Sequence, residues 1–312
     1  MKIKVSIIGI GSMGQNHLRT LSLIRDVEII FLYDKDENLL KKLSKKYNIS
    51  YTLKLDEAIE NVDAVYIVTP TSTHFEVFKK CSPKVKNIFI EKPLAASLYE
   101  ALEIKKIAIA NNNFVQCGFI ERFNPSIQSL KAILDKQEII NVDFTRTNKI
   151  SNRITDVNVV LDLMIHDIDL ALFISGDVKG INAFGFKENN DTALCHVILN
   201  HDSGCYSRLL ASRITEKKIR CIEVTTSKCF IEVDLLKKNL TINRQSEIVN
   251  SSSQEYQINS IHEEIAVGLQ EALLTENQAF IQNCFGVKEA NTPDIDSAIK
   301  AQNIAEQIIN LS

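Results

Sequence analysis

Three short patterns carry the groups able to do chemistry in this chain: Gly9-x-Gly11-x-x-Gly14, Glu91-Lys92-Pro93, and Asp162-Leu163-Met164-Ile165-His166. Lys92 follows the apolar run Ile88-Phe89-Ile90 and precedes a proline, whose ring restricts the lysine backbone and so the direction of its side chain. An ammonium beside a reacting hydroxyl hydrogen-bonds its oxygen and stabilises negative charge there as the proton leaves; a deprotonated amine accepts that proton itself. Taken alone, Lys92 reads better as a surface lysine paired with Glu91. Asp162 and His166 lie four apart in an apolar segment, Asn158 to Asp169, that ends near Gly176. At that spacing on a helix both side chains share a face, where a carboxylate and an imidazole form an acid/base pair near neutral pH. The plain alternative is a satisfied polar pair in a packed helix. A metal held by His166, Asp167 and Asp169 is poorly supported, because that spacing scatters the ligands around the helix, and no metal is expected.

The glycines follow the apolar run Ile3–Ile8, short enough for a buried strand, and precede Gln15-Asn16-His17-Leu18-Arg19, which reads as helix. A strand-to-helix turn of this kind offers a pyrophosphate unpaired backbone N–H groups and the positive end of a helix dipole. Gly9, Gly11 and Gly14, with Ser12 and Met13 between them, therefore predict a dinucleotide site. A second apolar run, Val27–Tyr33, ends at Asp34, 20 residues after Gly14, where a carboxylate accepts hydrogen bonds from the adenosine ribose. Asp34 favours NAD over NADP, since a 2′-phosphate would meet a like charge there, although Lys35 next to it offsets part of the repulsion.

Around these groups lie the elements that must position them. From Met1 to about Ile120, strand-like runs (clearest at Val5–Ile8, Val27–Tyr33, Ala64–Val68, Asn87–Ile90 and Phe114–Phe119) alternate with helical patterns, which predicts a parallel sheet covered on both faces. Ser97-x-x-Glu100 forms a capping box, placing Lys92 at the carboxyl end of a strand, the edge where open α/β sheets bind ligands. After Ile120, Asn124-Pro125 opens a helix to about Leu134. Alternating segments at Val142–Phe144, Thr192–Leu199, Cys205–Leu210, Cys221–Val224 and Phe230–Val233 then predict an open, mostly antiparallel sheet, with a hairpin turn at His201–Gly204. Two helices, His262–Cys284 and Asp294–Leu311, are expected to close the chain, and Asn250–Ser253 reads as an exposed loop. The fold class is thus α/β, divided into a dinucleotide-binding domain at 1–120 and a substrate-binding and dimerisation domain at 121–312.

Composition sets outer bounds. The chain has 312 residues, enough for two domains, with 45% hydrophobic and 24% charged residues, as in ordinary globular proteins. A net charge of −3 gives no general attraction for nucleic acid or anionic membranes. No apolar stretch approaches the ~20 residues that span a bilayer, and the apolar run after Met1 lacks a cleavage-site pattern and is better explained as the first strand. The seven cysteines are odd in number and contain no C-x-x-C pair, so a disulfide framework or zinc site is not expected, and a reducing, cytoplasmic location is.

With the three patterns in this order, the chain resembles the glucose-fructose oxidoreductase / inositol dehydrogenase / rhizopine catabolism (Gfo/Idh/MocA) family. The resemblance extends to Val68-Thr69-Pro70 with His74, to Glu121-Arg122-Phe123-Asn124-Pro125, and to the closing helix after Pro293. It implies an N-terminal Rossmann domain, a C-terminal α/β domain whose open sheet forms dimers or tetramers, and oxidation or reduction of a sugar or cyclitol hydroxyl. By match, Lys92, Asp162 and His166 take the catalytic positions, while Gly9, Gly11, Gly14, Asp34, Thr69, Pro70, His74, Glu91 and Arg122 take positions that line the cofactor. The family often has glycine where this chain has Met164, a change that bears on the substrate pocket. The wording of Asp156-Val157, Val160–Asp169 and Glu121–Pro125 is similar to the subgroup that oxidises UDP-N-acetylglucosamine at C3 for surface-glycan or lipid A synthesis. Arg146, Lys149, Arg153, Arg213 and Lys218 are the candidates for a diphosphate, though solvated surface is the expected fate of most. The competing expectations are a free cyclitol or aldose dehydrogenase, a glycosidase using NAD as a transient oxidant, and a non-catalytic NAD sensor.

Overall fold

A computed structural model describes residues 2–149, 158–188, 191–245 and 260–312. The chain divides into two compact units, Met1–Phe123 with Glu271–Asn303, and Asn124–Gln270 with Ile304–Ser312.

The first unit opens with β1 (Ile3–Ile8), α1 (Ser12–Leu21), β2 (Val27–Tyr33), α2 (Glu37–Tyr47), β3 (Ser50–Thr52), α3 (Leu55–Ala58), β4 (Ala64–Ile67), α4 (His74–Cys81), β5 (Asn87–Glu91), α5 (Leu98–Ala110) and β6 (Phe114–Gly118). Its six strands are parallel in the order β3-β2-β1-β4-β5-β6. The order reverses between β1 and β4, where doubly wound sheets open a crevice. Val5, Ile7, Tyr66, Ile88 and Phe89 are fully buried, as strands covered on both faces require. The Ser97 hydroxyl caps α5 by accepting from Glu100 N–H at 3.2 Å, and Glu100 Oε2 returns a bond to Ala96 N–H at 3.1 Å.

The second unit runs α6 (Pro125–Leu134), β7 (Ile139–Thr147), a π-helical turn (Val160–Met164) continuing into α7 (Ile165–Ser175), then β8 (Val178–Glu188), β9 (Asp191–His201), β10 (Tyr206–Ser212), β11 (Ile219–Thr226), β12 (Phe230–Asp234), β13 (Asn239–Gln245) and β14 (Ser260–Ile265). Asn124 caps α6 with Pro125 in its first turn. The eight strands are ordered β14-β13-β12-β11-β7-β10-β9-β8, all pairs antiparallel except β7 with β10. One face buries Phe144, Leu199, Leu209, Val224 and Ile231 beneath α6 and α7. The other leaves Phe184, Phe186, Ile198 and Tyr206 exposed. The turn between β9 and β10 closes as expected, with Gly204 at φ +89° and its N–H donating to His201 O at 3.1 Å.

The chain ends with α8 (Ala272–Cys284) and α9 (Ile295–Leu311). Two expectations are corrected here. The stretch expected to begin a helix at His262 is instead β14, whose Asn243↔His262 and Leu240↔Ile265 register continues the sheet; a short apolar-polar run at this length fits either period until a neighbouring strand edge claims it. Residues 271–303 belong to the first unit rather than to a domain spanning 121–312. The physical reason lies in α8, whose Phe280 sits edge-on to Tyr66 and Phe89, at ring-centroid distances of 5.1 and 5.6 Å. Gln302 on α9 likewise bonds both the N–H and the carbonyl of Ala95. The Asn250–Ser253 loop lies outside the described residues.

Candidate active site

In the first unit, the end of β1 turns at Gly9 (φ +94°), where a Cβ would lie 2.5 Å from Val68 O. Gly14 packs α1 against that turn so closely that a Cβ would lie 2.0 Å from Gly9 O. Gly11 is different: it forms the N-cap of α1 with no side-chain cap, and nothing lies within 4 Å of the position its Cβ would take. Two of the glycines thus close the turn, while the third leaves open space before the N–H groups of a helix N-terminus, with Ser12 and Met13 exposed beside it. Asp34, at the end of β2, accepts from Ile10 N–H at 2.6 Å through Oδ2 and from Lys35 and Asp36 N–H at 2.7 and 3.1 Å through Oδ1. These bonds bring its carboxylate beside the glycine turn. An open anion cradle next to a fixed carboxylate fits a dinucleotide with a free ribose diol better than one with a 2′-phosphate.

The loops after β4 and β5 are tied together by His74. Its Nε2 lies 2.9 Å from Thr69 O and its Nδ1 3.0 Å from Pro93 O, and it is buried. Burial pushes the imidazole pKa down from its ordinary value, against the two carbonyls, which favour the protonated ring. Thr69 Oγ1 accepts from Thr73 Oγ1 at 2.8 Å, and Pro70 O accepts from the same hydroxyl at 2.7 Å. Lys92 is partly exposed at the carboxyl end of β5, joined to Pro93 by a cis peptide bond. Glu91 beside it is buried; its Oε2 accepts from Lys92 N–H at 3.0 Å and its Oε1 lies 2.9 Å from His17 Nε2. His74 and Glu91 therefore hold the backbone of these turns. Arg122 is buried in the single turn Ile120–Phe123.

In the second unit, Asn158 Oδ1 accepts from Val160 and Leu161 N–H, both at 3.1 Å, and starts the helical segment. Its first turn is π-helical, closed by Ile165 N–H to Val160 O, rather than the regular α-turn that the spacing suggests. Such insertions are frequent at functional sites. Asp162 lies within the π-turn and His166 in the first turn of α7. Asp162 is 9% exposed and Met164 is fully buried, whereas His166 is half-buried in an otherwise buried run from Asp162 to Ala171. The far end of α7 is pinned to the sheet: His201 reaches Gly176 O at 2.8 Å and Ser207 Oγ at 2.9 Å.

The basic residues considered for a diphosphate divide sharply. Arg146 is buried and forms a two-pronged bond with Asp167, Nε to Oδ2 at 2.9 Å and Nη2 to Oδ1 at 2.7 Å. A guanidinium desolvated by β7 and α7 requires such a partner. Arg213 lies 3.7 Å from Asp162 Oδ2 and 3.3 Å from Asp191 Oδ2. Lys149 pairs with Glu216, Lys218 is exposed, and Arg153 lies outside the described residues.

Sequence reasoning missed Asn158 as a cap, the link from Arg213 to Asp162, and the contacts of His17 with Glu91 and Asn277. Only Asn158 had a local signal, an Asn just before an apolar helical run. The others depend on side chains distant in sequence.

Comparison with known proteins accounts for the shared architecture. The model of an oxidoreductase family with an NAD-binding Rossmann fold matches residues 3–119, and the model of the GFO/IDH/MocA C-terminal domain matches residues 135–232. The chain belongs to the Gfo/Idh/MocA family. It is an oxidoreductase with a nicotinamide cofactor site in its first unit. Among its relatives, the UDP-N-acetylglucosamine 3-dehydrogenase of Acidithiobacillus ferrooxidans is 28% identical over 245 residues, covering 77% of this chain and 76% of that protein. The scyllo-inositol 2-dehydrogenase (NAD(+)) of Bacillus subtilis is 27% identical over 238 residues, 68% of each chain. A crystal form of the Acidithiobacillus enzyme matches all of this chain and 98% of its own with a TM-score of 0.90 at 23% identity. An Agrobacterium radiobacter oxidoreductase solved with NAD+, L-tartaric acid and magnesium matches 100% of this chain and 96% of its own, with a TM-score of 0.86 at 18% identity. At these identities the two structures establish the fold. Among the described residues, no helix is long and apolar enough to cross a membrane.

Proposed function

We propose that this Gfo/Idh/MocA oxidoreductase oxidises the C3 hydroxyl of a UDP-N-acetylhexosamine with NAD, with Lys92, Asp162 and His166 as its chemical group. The observation that carries the reading is the buried Asp162 carboxylate within a π-turn that leads directly into half-open His166, a geometry suited to an orienting acid and a proton acceptor. His166 accepts the hydroxyl proton, Asp162 orients the imidazole and stabilises its charged form, and Lys92 polarises the oxygen through an ammonium hydrogen bond. Bound NAD supplies the hydride acceptor. The open cradle at Gly11, the α1 N-terminus and Asp34 hold its pyrophosphate and ribose, and His74 and Glu91 keep the adjoining turns in place. The relative in Acidithiobacillus supports the UDP-sugar, while the inositol dehydrogenase relative supports a free cyclitol as the second reading.

The bare sheet face supports a homodimer or homotetramer. Phe184 and Phe186 stand on one face of β8, and across the register Leu194 and Ile198, then Leu210 and Tyr206, continue it. Among the described residues no helix lies over this face, and apolar side chains set among His196 and Arg208 on an open sheet form a surface that a second copy covers. A cytoplasmic site of action fits the nucleotide substrate and the thiol chemistry.

The test is NADH formation monitored by absorbance with UDP-N-acetylglucosamine, free N-acetylglucosamine and inositols. Turnover is expected with the UDP-sugar and abolished in most part by Lys92→Met and His166→Ala, each lowering kcat by about 100-fold or more with NADH affinity retained. Turnover of inositols alone would move the assignment to the second reading, and unchanged kcat in both variants would refute the chemical group.

A further inference from the structure

We propose that His17 is a positioning residue for Lys92, acting through Glu91 as a buried clamp between helix α1 and the end of β5. The inference rests on the reading of Lys92 given above, but its geometry stands apart from it. His17 is fully buried, with its ring against the stacked pair Tyr66 and Phe89 at centroid distances of 5.3 and 5.1 Å. Its Nδ1 lies 3.0 Å from Asn277 Oδ1 and its Nε2 2.9 Å from Glu91 Oε1. The Asn277 amide is oriented by its own donation, Nδ2 to Thr20 Oγ1 at 2.7 Å, while that hydroxyl donates onward to Asn16 O at 3.0 Å. Asn277 therefore presents an oxygen to the ring, and Nδ1–H is the donor.

The ring thus bridges the Asn277 amide on one side and the Glu91 carboxylate on the other, and this imidazole partner satisfies a carboxylate oxygen buried at the carboxyl end of β5. The remaining oxygen of Glu91 accepts from Lys92 N–H at 3.0 Å, and the carboxylate packs against Gly118, where a Cβ would lie 3.0 Å from Glu91 Cδ and Oε2 and crowd it. Helix α1, whose first turn forms the cofactor cradle, and the backbone of Lys92 are thus joined through the contact of His17 with Glu91.

The experiment compares His17→Phe, which keeps a ring and removes both bonds, with His17→Gln, whose amide restores a donor near the Nε2 position. Hydrogen–deuterium exchange of the peptide covering residues 87–94 needs no substrate. It is expected to accelerate about tenfold in His17→Phe and to stay near wild type in His17→Gln. In turnover of UDP-N-acetylglucosamine, His17→Phe is expected to lose about 10- to 100-fold in kcat, with KM for NAD changed by less than about threefold, and His17→Gln to recover most of the loss. Exchange and kcat unchanged in His17→Phe, with only the melting temperature lowered, would overturn the proposal by showing a core-filling role. Faster exchange with unchanged kcat would support the clamp and tell against Lys92 as a catalytic group, a point that turnover by Lys92→Met decides separately.

Discussion

The three glycines of the turn are chemically identical, yet the structure assigns them different reasons, and alanine substitutions separate those reasons. Gly14→Ala places a Cβ 2.0 Å from the backbone oxygen of Gly9, about 1.4 Å short of the 3.4 Å at which ordinary contact begins. Backbone cannot rotate away as a flexible side chain does, so α1 must shift bodily. Alanine gains about 1 kcal/mol in helix propensity over glycine, whereas overpacking of a close contact costs about 1–3 kcal/mol or more, so the net effect is destabilising. Gly11→Ala meets nothing within 4 Å and has φ −64°, which alanine adopts freely. Its only cost in the free protein is a poorer N-cap, about 1 kcal/mol at most. In the proposed cofactor site its Cβ nevertheless stands in the space where a pyrophosphate would approach the helix N-terminus. Thermal unfolding without ligand, combined with NADH titration by fluorescence, separates the two. Gly14→Ala is expected to lower Tm by about 3–10 °C. Gly11→Ala is expected to hold Tm within about 3 °C of wild type while weakening NADH by about tenfold or more. Equal Tm losses in the two variants, or wild-type NADH affinity in Gly11→Ala, would refute the reasoning.

Three further outcomes follow from buried groups. Arg146→Met removes the guanidinium that pairs with the buried Asp167 carboxylate and is expected to cost about 3–5 kcal/mol by urea unfolding, with Arg146→Met/Asp167→Leu recovering a large part of it. His74 has its pKa pushed down by burial, so the unfolded chain binds more protons below its ordinary 6.5; its share of stability is present above that pH and is lost as pH falls toward the folded value. Urea midpoints measured between pH 7.5 and 5 are therefore expected to fall less steeply in His74→Gln than in wild type. Burial raises the thiols of Cys81 and Cys284 to about 12 and those of Cys195 and Cys221 to about 11, so the native protein should react slowly with a disulfide reagent at pH 8 and quickly in denaturant.

Much of this molecule is readable without coordinates because the deciding signals are local. A short apolar run, three glycines and an acid 20 residues on describe a strand, a turn and a second strand, and each element appears within a residue or two of expectation. The caps at Ser97 and Asn124 act over two or three residues and are found where their sequences place them. Segment 262–265 was misread because a short run of mixed residues carries no period of its own; it is a strand because β13 offers it an edge. The return of 271–303 to the first unit was invisible for a related reason, since the helix face carrying Phe280 does not say which aromatic residues it meets.

The sequence by itself determined the residue types able to bind a dinucleotide and move a proton, the family they belong to, and the strand end at which Lys92 stands. Only the tertiary structure decided how those groups are held: Arg146 on Asp167, Arg213 near Asp162, and His17 between Asn277 and Glu91, partners 21, 51, 260 and 74 residues apart respectively. Propensity, capping and periodicity act within a turn or two of the chain. A buried charge or imidazole takes whatever partner the packing of distant elements brings within about 3 Å, and no local pattern records that choice.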